Sequence, residues 1–313
     1  MSDSARLLER PLLTIIIPTY QRPDLLQRAV KSALAQRIEN TQDTAVEVLV
    51  VDDCSPEPVE LPAHSRLKLL RLATNRGGAA ARNEGAQAAS GRYVTYLDDD
   101  DQLLPTMANN AIQSLKATTL PPPVALLSGI EVVDSAGRIK STRLPPTLPR
   151  GSHFALEEEP PGKSFLCKQT MVVERAVLLG VGGFDESFQS RVHTELFLRL
   201  NPVCSILGLS TVSYQLTAHQ GPRVSRNPAL RQVSFNQLLA KHRTLFEAHP
   251  QQFAQFLYKH AQISWRLGQK AAAVRALLWA FRVHPQWSFI LSAYGLKDRL
   301  SHHFVAFNKP AGI

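Results

Sequence analysis

Tyr93-Val94-Thr95-Tyr96-Leu97-Asp98-Asp99-Asp100-Asp101 is the stretch on which the reading of this chain turns. Five residues with strand propensity run directly into four consecutive carboxylates. Adjacent carboxylates repel one another in water, so a fold seldom gathers them without a counter-charge. Arriving straight from a buried strand, they form a candidate divalent-cation site. Magnesium and manganese take oxygen ligands and are commonly held by one or two carboxylates plus substrate phosphates. If strand geometry continues through the run, Asp98 and Asp100 share a side. One would then meet a ribose or the ion's waters while the other ligates the ion. A solvated acidic loop, or N-terminal charge for a following helix, is the plain alternative.

The residues before the run alternate between strand and helix patterns. Residues 12–17 are apolar and β-branched and stop at Pro18, which holds Ile17 extended. Residues 24–36 place Leu25, Leu26, Ala29, Val30, Ala33 and Leu34 on one helical stripe, with Pro23 placed to open the helix. Residues 46–51 make a second strand ending at Asp52-Asp53, and residues 67–72 a third. Residues 79–89 read as a helix with Gly91 beyond its end, and residues 92–97 are the fourth strand. This order predicts an α/β fold with a mainly parallel sheet and helices on both faces. Such sheets bind ligands beyond the carboxyl ends of their strands. Strands one, two and four end in Pro18-Thr19-Tyr20, Asp52-Asp53 and the four aspartates, so the polar residues converge on one edge.

Two further segments belong to that edge. A carboxylate at Asp52 or Asp53 suits the N–H of a uracil or other base, and a turn helped by Ser55-Pro56 is the plain reading. Asn75-Arg76-Gly77-Gly78, with Arg82-Asn83, joins strand three to a helix start. Its glycines permit close backbone approach, and the helix N-terminus favours an anion. Neither G-x-x-x-x-G-K-[ST] nor G-x-G-x-x-G occurs, which counts against P-loop and dinucleotide-binding readings.

Beyond Leu120-Pro121-Pro122-Pro123, residues 124–128 and 130–133 read as short strands, with a turn at 134–137. Residues 143–151 and 157–162 are rich in Pro, Gly and charge and read as surface loops near a substrate entrance. Residues 192–200 form a helix, and 205–209 and 212–216 two short strands. After Pro228 the chain turns helical over roughly 229–247, 251–267, 269–283 and 288–300. The pair around Trp265-Arg266-Leu267-Gly268 and residues 271–281 is similar to a tetratricopeptide helix pair, although one unit does not make an array.

Charge divides the chain in the same place. The net charge of +9 over 313 residues is uneven: residues 1–220 hold 22 Lys+Arg against 24 Asp+Glu, and residues 221–313 hold 13 against 2. Two parts are therefore expected, a domain over 1–220 and a basic helical region over 221–313. Three scattered cysteines indicate neither a disulfide framework nor a zinc cage. No run is long and apolar enough to span a membrane, and residues 1–10 have no signal-peptide core, so a cytoplasmic protein is expected. The basic residues of the tail, interleaved with Phe, Leu and Trp, suit peripheral contact with an anionic membrane. Nucleic acid is the competing anion, but no recognised nucleic-acid module is present.

Taken in order, Pro18-Thr19-Tyr20-Gln21-Arg22, Val51-Asp52-Asp53-Cys54-Ser55, Asn75-Arg76-Gly77-Gly78…Ala81-Arg82-Asn83, Tyr96-Leu97-Asp98-Asp99-Asp100-Asp101 and Gly182-Gly183-Phe184-Asp185-Glu186 resemble the motifs of the family 2 glycosyltransferases. The resemblance covers about residues 11–225. It implies a GT-A (Rossmann-like) fold, a nucleoside-diphosphate sugar donor with UDP favoured, a divalent metal (Mg2+ or Mn2+) and inversion at the anomeric carbon. It places Pro18, Thr19, Tyr20, Arg22, Asp52, Asp53, Asn75, Gly77, Arg82, Asp98 and Asp99 around the nucleotide sugar. Asp98 and Asp100 match the D-x-D pair, with Asp100 the direct metal ligand. The family's base is an Asp six residues before the Arg of a helix ending Leu-Arg-Leu. Aligning on Leu198-Arg199-Leu200 puts His193 there, with Val192 in place of the preceding Glu. His193 is thus the expected base, its unperturbed pKa lying near about 6.5, and Glu195 is the second candidate. His219 matches a loop His that completes the metal shell or closes over the diphosphate.

The function expected is transfer of a sugar to a glycan or lipid-linked acceptor in surface polysaccharide assembly. A non-catalytic nucleotide-sugar-binding or scaffold protein is the alternative from another class, motivated by the missing Asp. A sugar-phosphate nucleotidyltransferase is disfavoured by the lack of a Gly-x-Gly-Thr-Arg loop after strand one.

Overall fold

The computed structural model describes residues 10–218 and 227–289. It divides into a larger unit of residues 1–155 and 159–223 and a helical unit of residues 156–158 and 224–313.

The larger unit is built on β1 (Leu13–Thr19), β2 (Val46–Asp52), β3 (Leu67–Arg71) and β4 (Tyr93–Tyr96), parallel and ordered β3-β2-β1-β4. Every residue of β1 and β2 is buried, as expected of strands covered on both faces. Alternate side chains serve opposite layers. Leu13, Ile15 and Ile17 join the core under α1 (Pro23–Leu34) and α3 (Met107–Ala117), whereas Ile16 packs with residues of α2 (Gly78–Ala88). Pro23 opens α1 as its first residue, where a missing N–H costs nothing. The helix α3 is not anticipated by the sequence reading. Its signal is the stripe Met107, Ala108, Ala111 and Ile112, all buried.

Past β4 the sheet becomes mixed. Among the described residues it continues through β8 (Val172–Glu174), β6 (Val124–Val133), β9 (Ser205–Thr217) and the short β5 (Gln102–Leu103), with β7 (Ile139–Arg143) paired to β6. The two short strands expected over 124–133 are one strand, and so are the two over 205–216. Irregular register around Leu127–Ile130 lets both strands bend without breaking. Helices α4 (Arg175–Gly180) and α5 (Val192–Leu200) complete the unit.

In the helical unit, α6 (Pro228–Lys241) and α7 (Arg243–Ala248) replace the single helix expected over 229–247. His242, at φ −107° and ψ 27°, breaks it. Helices α8 (Pro250–Arg266) and α9 (Lys270–Val283) form a hairpin whose contact is lined by Ala261, Ala273 and Ala276. Of the helix expected over 288–300, all but the first two residues lie outside the described part of the chain. No helix among the described residues is long and apolar enough to cross a membrane.

Candidate active site

Register brings the carboxyl ends of the central strands together. Thr19 lies level with Asp52, and Ile16 level with Tyr96, so three residues further on Thr19 stands beside Asp99. Its hydroxyl donates to Asp99 Oδ2 at 2.8 Å.

The acidic run is a turn. Strand β4 stops at Tyr96, and the Asp101 N–H donates to the Asp98 carbonyl at 3.1 Å, closing four residues on themselves. Asp98 and Asp100 therefore share a side through this turn and not through strand alternation. The turn also folds Asp101 in. Ligand oxygens of Asp98, Asp100 and Asp101 lie within 4.8 Å of one another.

Each carboxylate has its own surroundings. Asp98 pairs with Arg82 of α2 at 2.5 Å; burial pushes its carboxyl up, but Arg82 together with the other positive groups around it holds it below the usual range. Asp99 is buried, and burial outweighs Thr19 and Arg22 to push it upward. Arg22, in the loop between β1 and α1, bridges Asp99 at 3.0 Å and Asp100 at 3.3 Å. Asp101 accepts from the Tyr214 hydroxyl at 2.9 Å and the Thr217 N–H at 2.8 Å, both on β9. Burial, reinforced by the charges of Asp98 and Asp100, pushes Asp101 up to about 8. The sequence reading gave Asp101 no role, because Tyr214 and Thr217 are more than a hundred residues away.

Three clustered carboxylates, one of them held neutral by burial and its neighbours' charges, are a chemically suitable home for a divalent cation: all donors are oxygen, and an ion would relieve their repulsion.

Asp52 and Asp53 are held by different partners. Asp52 is fully buried, accepting from the Ser55 N–H at 2.9 Å and from Arg71 at 2.8 Å. Asp53 accepts from the Arg76 and Gly77 N–H groups at 2.8 and 2.7 Å. Both carboxylates hold loops at this edge, and each oxygen keeps a second lone pair with which it could still accept from a base N–H. The anion expected at the start of α2 is supplied by Asp53 itself. Gly77, at φ +87°, makes the turn into α2 that other residues resist. Pro18 is buried, Tyr20 is exposed beside these loops, and Asn75 is exposed at the tip of its loop. The Gln21 N–H donates to Ser55 Oγ at 3.0 Å, joining the loops after β1 and β2.

Opposite the turn stands α5. Asn83, on α2, accepts from the Phe184 N–H at 2.8 Å and donates to the Phe184 carbonyl and Glu186, both at 2.9 Å, fixing Gly182-Gly183-Phe184. Gly183 (φ +63°) is required there, because an added Cβ would lie 2.5 Å from Asn83 Oδ1. His193 packs edge-on to Phe184 at 5.2 Å. Its Nε2 is buried without a hydrogen-bond partner. Burial, with the Arg82 cation adding to it and Asp98 opposing, takes its pKa down to about 3, so the ring is neutral and able to accept a proton.

Glu195 is fully buried and bidentate with Arg199, at 2.8 Å to Nε and 2.6 Å to Nη2. Arg199 in turn donates to the carbonyls of Val181 and Gly183. The catalytic candidacy of Glu195 is thereby corrected. Its charge is spent on holding α5 to the Gly-rich loop. His219 lies outside the described residues.

A central parallel sheet carrying an acidic turn at its carboxyl edge defines a protein of the GT-A class. Among solved structures, residues 1–349 of Staphylococcus aureus TarS in complex with UDP-GlcNAc align at a TM-score of 0.58 and 19% identity, covering 88% of this chain and 82% of that one. The family model "Glycosyl transferase family 2" matches residues 14–172, and the chain belongs to that family. Succinoglycan biosynthesis protein ExoO of Rhizobium meliloti is 39% identical over 111 residues, 34% of this chain and 30% of the relative. The putative colanic acid glycosyl transferase WcaA of Escherichia coli is 36% identical over 101 residues, 30% of this chain and 34% of that protein. The matched region spans about a third of the length of these curated relatives.

Proposed function

We propose that this protein is an inverting, metal-dependent glycosyltransferase, moving a sugar from a nucleoside-diphosphate donor, UDP favoured, to a glycan or lipid-linked acceptor in surface polysaccharide assembly. The observation that carries the reading is the convergence of Thr19, Arg22, Arg82, His193 and the acidic turn on one sheet edge. The names of ExoO and WcaA support the polysaccharide context, and the UDP-GlcNAc complex of TarS supports the donor class.

In this mechanism Asp98, Asp100 and Asp101 would hold Mg2+ or Mn2+, which would offset the negative charge developing on the leaving diphosphate. Arg22 and Arg82 hold the carboxylates of the turn in place and add positive charge beside the phosphates. Exposed Tyr20 offers a face to the base, while Asp53 holds the Asn75–Gly78 loop that lines the nucleotide. His193, neutral and with Nε2 unengaged, takes the proton of the acceptor hydroxyl on the face opposite the leaving group.

Titration calorimetry of UDP with manganese tests the donor side: Asp100→Ala abolishes metal-dependent binding, and unchanged binding would sink the metal assignment. The low basicity of His193 favours a second reading, a donor-binding protein without transfer. Metal-dependent donor hydrolysis by wild type excludes it, and loss of that turnover in His193→Ala with UDP affinity retained supports the base role.

A further inference from the structure

Helix α9 buries mainly small side chains. The side it turns to α8 carries Ala272, Ala273, Ala276 and Ala280, with Leu277 packed beside them. Two of its aliphatic side chains are left to solvent, Val274 at 47% and Leu278 at 65% exposed, while Trp279, 43% exposed, sets its ring edge-on to Phe253 of α8 at 5.5 Å. A helix apolar on all sides is ordinarily covered on all sides. Of the twelve large apolar side chains exposed among the described residues, seven fall in the smaller, helical unit. On α9 itself Val274 and Leu278 stand one helical turn apart and form one apolar strip, unlike the scattered singles usual on proteins.

Charge identifies the partner. Lys270, Arg275 and Arg282 stand on α9 beside the apolar row, and neither α8 nor α9 contains an acidic residue. Lys270 lies 6.0 Å from the ring of Trp265, which is itself exposed on the adjoining turn. Aliphatic side chains in a row, tryptophans at its margins and cations without acids fit the boundary between anionic headgroups and acyl chains. A nucleic acid would be served by the cations but not by Val274 and Leu278. A second copy of the chain would bring like charge against like.

We propose that the outward face of α9 docks the protein on an anionic lipid bilayer, with Val274, Leu278 and Trp279 entering the interface and Lys270, Arg275 and Arg282 meeting lipid phosphates. The inference is independent of the donor chemistry, and it would hold the catalytic unit where lipid-linked acceptors reside.

The test is cosedimentation of the full chain with vesicles of phosphatidylcholine alone or mixed with phosphatidylglycerol. Binding is expected to the mixed vesicles and to fall with salt, as screening shortens the reach of the cations. Arg275→Gln and Arg282→Gln each lower partitioning about fivefold. Leu278→Glu lowers it at least about tenfold, with an unchanged melting temperature because the side chain is exposed. Brominated lipids quench tryptophan emission in wild type and less in Trp279→Phe. Asp100→Ala binds vesicles like wild type, so failure of the donor reading leaves this result distinct. Absence of sedimentation at low salt overturns the proposal. So does wild-type binding by Leu278→Glu, or a dimer lost in Leu278→Glu with no vesicle binding. Nucleic-acid binding that depends on Arg275 and Arg282 while vesicles are ignored also overturns it.

Discussion

Replacing Asp101 by asparagine should stabilise the metal-free protein at neutral pH, although it removes a carboxylate from the proposed metal site. The folded-state pKa is raised to about 8, while the unfolded chain releases the same proton near about 3.9. At pH 7 the folded protein therefore keeps a proton that the unfolded chain has lost. Three pH units at about 1.4 kcal/mol each put the cost near 4 kcal/mol. The sign follows from proton uptake: a raised carboxyl contributes stability fully present below about pH 4, which drains away as pH rises towards 8. Asparagine mimics the neutral acid and still accepts from the Thr217 N–H, but it cannot accept from the Tyr214 hydroxyl as before. That lost bond costs about 1 kcal/mol.

The difference between variant and wild type thus runs from about −1 kcal/mol at pH 4 to about +3 kcal/mol at pH 7. For a unit of this size the latter raises Tm by about 6–12 °C. Calorimetric melting in chelator across this pH range measures it. Groups remote from the turn titrate alike in both proteins, so the difference reports Asp101 together with the carboxylates it faces. A variant that melts at or below wild type at pH 7 refutes the argument. The same proton gives a second readout, because manganese binding at pH 7 should release about one proton in wild type and none in Asp101→Asn. Heats measured in buffers of different ionisation enthalpy will show it.

Two other substitutions separate architecture from chemistry. Glu195→Gln strands the half-buried Arg199 and should cost about 3–5 kcal/mol in urea unfolding; a loss of activity with wild-type stability would instead restore Glu195 as a catalytic candidate. Asp53→Asn replaces one acceptor with a donor facing the Gly77 N–H, so the loop before α2 should loosen by about 1–3 kcal/mol. UDP affinity should then fall about tenfold or more by calorimetry while Tm drops by about 2–12 °C, and unchanged affinity would remove the loop from the donor site.

The parallel half of the sheet was legible because its signals are local. Buried β-branched runs stop at Pro18, Asp52 and Asp98, and the helices between them show their stripes. Residue roles were less legible, because a side chain's partner is set by tertiary placement. The sequence offers Asp52 and Asp53 as equivalent strand-end carboxylates, yet Arg71 takes one and the backbone of Arg76 and Gly77 takes the other. It places Glu195 on a helix near His193 but does not reveal that Arg199, one turn on, closes on it. Strand alternation puts Asp98 and Asp100 on one side, but it is the turn from Asp98 to Asp101 that brings them together, and such a turn lies beyond what periodicity reports. Asp101 could have been suspected only from a tyrosine in a late strand with no local partner for its hydroxyl.

The bonds from Asp101 to Tyr214 and Thr217 span 113 and 116 positions. During synthesis the acidic turn therefore emerges long before the strand that anchors it. A nascent chain halted before β9 presents four crowded carboxylates with no β9 tyrosine or amide to position them. The central parallel strands can pair earlier, since β1 to β4 are complete by residue 96. Assembly of the acidic turn's final geometry thus waits for β9 to insert beside β6, making it a late event of folding in this unit. A truncation ending before residue 205 would keep every acidic motif of the family and still lack a working site.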